Sequence, residues 1–175
     1  PGFSGDDGRT SIFDYTVMPK HQNWMADGRF DGSDFTDEQK RLFNFYSKLL
    51  NFRLNSSAIN KGAFYDLMWV NPWYSNFDPQ YVYAFLRYFN NDRLLVVINF
   101  NQNESRYCEV KIAEDALEYM RLRSTVNGQR SMVNSQQSTA TDVFTGEKIE
   151  YNLDEVSTRG IAMNLEPCGI KILKL

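Results

Sequence analysis

A single histidine, His21, and two cysteines, Cys108 and Cys168, are the only His and Cys residues in a chain of 175. Zinc needs several such ligands at short spacing, and the two cysteines stand far apart, so no metal motif is written here. They read most simply as two buried free thiols, which fixes no redox compartment. His21 has no carboxylate-and-serine arrangement around it, and Ser4 and Ser11 lack the context of a nucleophile elbow. Gly2, Gly5 and Gly8 follow no strand and are not closed by the Lys-Ser/Thr pair of a phosphate-binding loop. Long apolar runs are missing too. The longest, Leu94 to Ile98, has the length of a buried strand, whereas a membrane-spanning helix needs roughly 20 residues. The chain also lacks an excess of positive charge, with a net charge of -3 and an isoelectric point near 5.2. Neither a nucleic-acid partner nor a membrane partner is expected. The chain opens on Pro1-Gly2 without an initiator Met, charged leader or apolar signal core, which reads as a boundary made by processing or cloning.

What is present is apolar and aromatic. A hydrophobic content of 42% and an aromatic content of 15% argue for a packed globule. Residues 1 to 35 are dense in Gly and Asp and show no sustained periodicity, the pattern of a long irregular loop. Thr36-Asp37-Glu38-Gln39 then supplies a helix start, in which the Thr hydroxyl and the Gln amide can complete a capping box. Asp37 and Glu38 sit at the positive end of the helix dipole. The spacing predicts a helix from Thr36 to Leu54, with Leu42, Phe45, Tyr46, Leu49, Leu50 and Arg53 on one face. Phe43 and Phe52 widen that stripe, so the helix is expected to pack on more than one neighbour.

From Gly62 onward, short β-rich runs alternate with clusters of Asn, Asp, Gly and Ser. Tyr81 to Phe89 and Arg93 to Phe100, joined through Asn90-Asn91-Asp92, predict a hairpin, and the apolar Leu94 to Ile98 predicts a central strand. Cys108, Val110 and Ile112 alternate with Glu109 and Lys111, and a short helix is expected over Ala113 to Tyr119. Thr145-Gly146-Glu147 is a turn, Ile161, Met163 and Leu165 alternate, and Gly169 to Leu175 is a final strand. The polar stretch Ser124 to Thr141, with Asn127-Gly128, reads as an exposed hairpin tip or mobile loop. The fold expected is mainly β: an antiparallel β-sandwich preceded by a long loop and one amphipathic helix, with the boundary near Asn60 to Gly62.

Two constellations invite a chemical reading. The first loop holds Asp6, Asp7, Asp14, Asp27, Asp31 and Asp34 with Arg9 and Arg29 among them. Their spacing suits neither an EF-hand, which would put Glu where Val17 stands, nor two carboxyls held apart across a glycosidic bond. The first Glu of the chain, Glu38, is explained by helix capping. Asp-Arg and Asp-backbone pairing within the loop is the simpler expectation. The second constellation is Trp69, Trp73, Tyr74 and Phe77, beside Asn71 and Asn76. Flat aromatic faces with amide neighbours suit a sugar ring, but they equally suit packing against a neighbouring domain.

The run Gly5-Asp6-Asp7-Gly8-Arg9-Thr10-Ser11-Ile12-Phe13-Asp14-Tyr15, followed by Val17-Met18-Pro19, Trp24 and Gly28-Arg29-Phe30-Asp31-Gly32, a single long helix and then strands, resembles glycoside hydrolase family 13, the α-amylase superfamily. Phe144-Thr145-Gly146-Glu147 and Leu165-Glu166-Pro167 are similar to patterns of its C-terminal sandwich, domain C. The resemblance implies that residues 1–61 are the terminal loop and closing helix of a truncated (β/α)8 barrel, and that residues 62–175 are the C-terminal β-sandwich. It implies a parent enzyme that cleaves or transfers α-glucosidic bonds in starch or maltooligosaccharides, with an Asp nucleophile, a Glu acid-base and a second Asp on strands upstream of Pro1. No catalytic residue is carried over to this chain. Asp6, Asp7 and Arg9 would border the substrate cleft; where the aromatic cluster takes glycan rather than packing on a neighbouring domain, Trp69, Trp73 and Tyr74 are its stacking surface. The partners implied are the upstream barrel and, through it, an α-glucan, with dimerisation of the isolated fragment through the bare helix. No cofactor or metal is expected, since the residues here do not support the Ca that the parent could carry. The alternatives are a carbohydrate-binding sandwich and a purely structural domain.

Overall fold

Strands β2 (Val82–Phe89) and β3 (Asp92–Asn99) form an eight-residue hairpin, closed by Asn90-Asn91, in which Phe89 pairs with Asp92 and Val82 with Asn99. Asn90 takes the left-handed conformation at φ 55, which Asn tolerates better than most residues. The computed structural model describes residues 19–122, 125–126, 129–130 and 137–175. The other strands are β1 (Ala63–Asp66), β4 (Arg106–Val110), β5 (Thr125–Val126), β6 (Gln129–Arg130), β7 (Gln137–Asp142), β8 (Lys148–Asn152), β9 (Ile161–Leu165) and β10 (Ile170–Lys174). A six-stranded antiparallel sheet runs β1-β2-β3-β10-β7-β8, and the pair β4-β9 forms a second layer. This is the antiparallel sandwich expected from the sequence, with unequal layers.

The core lies between those layers. Period-two alternation sends Val82, Ala84 and Leu86 of β2, Leu95 and Val97 of β3 and Leu173 of β10 inward, where they meet Cys108, Val110, Ile161, Met163 and Leu165. Helix α4 (Glu114–Tyr119) adds Ala116 and Leu117 to the same core. Burying each Val, Leu, Ile or Met among them contributes about 1.5–3 kcal/mol. β3 is buried on its second face as well, through Leu94 and Val96. There the helix α3 (Ser57–Lys61) contacts β2 and β3, and the Arg87 guanidinium donates to the carbonyls of Ala58 and Ile59 at 3.2 and 2.8 Å.

Asp92 ties α3 down. Its Oδ2 accepts from the Ser56 and Ser57 hydroxyls and the Ala58 N–H, at 2.9, 3.2 and 2.8 Å. Burial works to raise its pKa, but those three donors and Lys174 together outweigh it and hold the carboxyl below the ordinary value. Gly62 is needed where α3 turns into β1, because a Cβ there would stand 2.1 Å from the Ala58 carbonyl oxygen and 2.7 Å from that of Tyr88.

The chain separates into two compact units, Pro1–Asn51 and Phe52–Leu175. Within the first, helix α1 (Pro19–Met25) and a 3-10 turn, Ala26–Gly28, occupy part of the segment that the sequence marks as irregular loop. Pro at the first helical position and the short length of the helix explain why no periodicity announced it. Helix α2 (Asp37–Asn55) begins with the expected capping box: the Gln39 N–H donates to Thr36 Oγ1 at 3.3 Å, and the Thr36 N–H to Gln39 Oε1 at 3.0 Å.

Two further expectations are corrected. β7 claims residues 137–142, so the polar stretch taken as loop up to Thr141 ends as a sheet strand, with Ala140 and Asp142 buried and the rest partly wet. Asn127-Gly128 lies outside the described residues, while the flanking β5 and β6 pair Val126 with Gln129. Cys108 is buried, but Cys168 is exposed, in a turn where it has φ 51. Cys168 stands between Pro167 and Gly169, turn residues that carry the thiol out of the strand pattern on either side.

Gly62→Ala should destabilise the fold by about 1–3 kcal/mol in urea unfolding, since backbone atoms cannot yield to the added methyl. Asp92→Asn should cost about 1–3 kcal/mol at neutral pH. Because the folded pKa of Asp92 lies below the unfolded one, that stabilisation is present above about pH 4 and is lost as pH falls through the folded value. The difference between wild type and variant should therefore narrow in acid.

Candidate functional site

The segment between β1 and β2 displays aromatic residues from a backbone fixed at several points. Leu67 and Phe77 are buried anchors. Asn71, also buried, donates through Nδ2 to the carbonyls of Leu67 and Lys111, both at 2.9 Å, and accepts the Lys111 N–H at 2.8 Å. The backbones of Tyr74 and Phe77 bond to each other in both directions, at 3.1 and 2.9 Å. The Tyr74 hydroxyl donates to the Glu109 carbonyl of β4. Burial, then the nearby Glu109 and Cys108, push the Tyr74 phenol up to about 12, so it remains a donor.

This geometry divides the aromatic cluster. Trp69 and Trp73 are 64% and 72% exposed. Tyr74 is half-buried, with the Phe77 ring stacked at 6.1 Å and the Lys111 ammonium 4.3 Å from its ring centroid. Its ring is engaged in packing, whereas the two tryptophans present free surface. The Trp69 ring lies 6.4 Å from that of Tyr65. Sequence proximity grouped Tyr74 with the tryptophans; the alternation of exposed and anchored residues along a tight turn separates them.

The Asp and Arg residues of the first loop pair as expected wherever they are described. Arg29 reaches Asp27, Asp31 and Asp34 at 3.9, 3.5 and 3.5 Å. Asp31 also accepts the Ser33 N–H at 2.9 Å, and its pKa is lowered first by hydrogen bonding to Ser33. Asp6, Asp7 and Arg9 lie outside the described residues. His21 is exposed on α1. Among the described residues no three His, Cys, Asp or Glu side chains are placed to hold a metal ion.

A groove of about 640 Å³ runs beside β9 and β10, lined by Tyr107, Glu147, Asn164, Glu166 and Lys171 among others. Its carboxylates are already engaged: Glu147 accepts from Lys171, and Glu166 accepts from the Ser105 hydroxyl at 3.2 Å. Asp142 is buried and accepts the N–H groups of Phe144 and Thr145, at 2.8 and 2.9 Å, which shapes the turn into β8. These carboxylates have structural partners, and Ile149, Met163 and Ile170 line the groove beside them.

No protein-family model and no curated protein matches the sequence. Solved structures do match its fold. AmyP in complex with maltose aligns with a TM-score of 0.55 at 15% identity, over 83% of this chain and 23% of that chain. A variant of AmyP in complex with maltotriose gives 0.55 at 15% identity, over 82% and 22%. A variant of isomaltulose synthase from Erwinia rhapontici NX5, with its natural substrate sucrose, gives 0.44 at 22% identity, over 82% and 20%. This chain therefore spans less than a quarter of the length of each of these proteins. The sandwich that the sequence resemblance leads one to expect is matched at the level of fold.

The thiols offer a direct check on this part of the chain. Burial, followed by the nearby Glu109, pushes Cys108 up to about 12. Ellman's reagent at pH 8 should modify Cys168 alone in the native protein and both thiols in denaturant. Trp73→Ala should leave stability within about 0.5 kcal/mol, while Tyr74→Phe should cost about 1 kcal/mol, both read from thermal unfolding.

Proposed function

We propose that this chain is the C-terminal, non-catalytic part of an α-amylase-superfamily glycoside hydrolase acting on α-glucans. In this reading residues 1–61 complete a (β/α)8 barrel, and residues 62–175 form the sandwich that supports it. The carboxylates that break the glycosidic bond belong to barrel strands preceding Pro1.

The observation that carries the reading is the state of α2. None of its 19 residues is buried, and six of its large apolar residues are exposed: Leu42, Phe43, Phe45, Tyr46, Leu50 and Leu54. A helix of this length is marginal in water without tertiary packing, and an exposed apolar stripe of this extent marks a surface that another body covers. A barrel whose last helix this is would supply that cover. The fold shared with a segment of AmyP, a protein solved with maltose, supports the same assignment and the α-glucan as substrate class. The catalytic competence of such a chain would need two carboxyls across a scissile bond, and the engaged states of Glu147, Glu166 and Asp142 favour a supporting role.

On this account the isolated chain turns over none of starch, maltooligosaccharides or cyclodextrins, and measurable hydrolysis of any of them would refute the assignment. Light scattering should show concentration-dependent self-association through α2, which Leu42→Lys combined with Tyr46→Lys abolishes. A strictly monomeric chain at high concentration would count against an uncovered α2.

A further inference from the structure

Side chains from three separated stretches meet on the flank of the sandwich where α4 closes over the β1-β2 edge. The Tyr65 hydroxyl donates to the Asp115 carboxylate, whose two oxygens stand at 2.8 and 2.9 Å. Trp69 sets its ring 6.4 Å from that of Tyr65, inclined by 48°. Tyr88 and Tyr119 meet edge to face, with centroids 5.3 Å apart. The register aligns Ala63 with Tyr88 and Tyr65 with Leu86, so Tyr65 and Tyr88 are diagonal neighbours on one face of the β1-β2 pair. Trp69 and Tyr119 are 64% and 70% exposed, and Asp115 is exposed as well. Burial and the Asp115 carboxylate push the Tyr65 phenol up to about 12, so that phenol keeps its proton.

This is more than a group of surface aromatics. Two exposed rings each rest against a tyrosine of β1 or β2, and the exposed Asp115, tied to one of those tyrosines by a single hydroxyl, has lone pairs left to accept further donors. Pyranose rings offer a flat C–H surface for the aromatics and hydroxyl donors for the carboxylate. A partner helix or strand would call for a continuous apolar stripe rather than a central acid.

We propose that Trp69, Tyr119, Asp115 and Tyr65 form a saccharide-binding patch on the sandwich, which holds a short run of glucosyl units of an α-glucan. The choice of α-glucan rests on the function proposed above; the patch itself rests on the geometry. Its use would be to tether a polymer to the sandwich.

Calorimetric titration of the full chain with maltoheptaose, and separately with cellohexaose, tests both levels. Maltoheptaose should bind, and Trp69→Ala and Tyr119→Ala should each weaken binding by about tenfold, while Trp73→Ala changes it by less than about twofold. Asp115→Ala should also weaken binding, and Tyr119→Phe should retain most of it. Each altered side chain is exposed, so unchanged far-ultraviolet dichroism and an unchanged unfolding midpoint are expected and are to be verified for every variant. Cellohexaose binding in place of maltoheptaose, lost in the same variants, would keep the patch and overturn the α-glucan assignment. Binding of neither sugar, or binding indifferent to Trp69→Ala and Tyr119→Ala, would overturn the patch.

Discussion

The apposition of two unequal β layers is the constraint on which the rest of the molecule depends. β3 lies inside the larger sheet, bonded on one edge to β2 and on the other to β10, and its inward residues Leu95 and Val97 face a second layer of only two strands. So narrow a layer cannot cover the wide sheet alone. The deficit is made up by α4 and by the buried Leu67, Phe77, Leu153 and Val156 of connecting segments. The connections are therefore part of the core, and their irregular backbones have to be satisfied in place.

Buried polar side chains meet that need. Asn71, Asn99 and Asp142 are almost wholly enclosed, and each serves main-chain groups of a connection. Asn99 donates to the carbonyls of Glu104 and Glu166 at 2.9 and 3.0 Å and accepts the Asn101 N–H at 2.9 Å, joining the ends of two connections to β3. Asn71 does the same for the segment carrying Trp69 and Trp73. The backbone that carries these two tryptophans therefore has little loop entropy left to lose.

Much of this architecture was legible in the residues themselves. Period-two alternation marked β4 and β9, continuous apolarity marked β3, and Thr36 with Gln39 marked the start of α2, because each is a local signal of a local structure. β7 was not legible: its Gln137, Ser138 and Thr139 are polar, and its place is set by pairing with β8 and β10. The candidate patch shows the same limit. Trp69 stood out as an aromatic among amides, but Asp115 meets Tyr65 and Tyr119 meets Tyr88 only through the fold, and no sequence spacing encodes those meetings. Tyr74, equally aromatic, proved to be a packing residue because Glu109 of β4 offers its hydroxyl a carbonyl.

The central claim of the proposed function is that the sandwich is complete in itself and that α2 is packed by another body. Amide hydrogen exchange of the isolated chain addresses it most directly, since protection reports the free energy of opening residue by residue. The account predicts that amides of β2, β3 and β10 exchange only through global unfolding, and that those from Leu42 to Leu50 exchange orders of magnitude faster. Protection across α2 equal to that of β3 would contradict it.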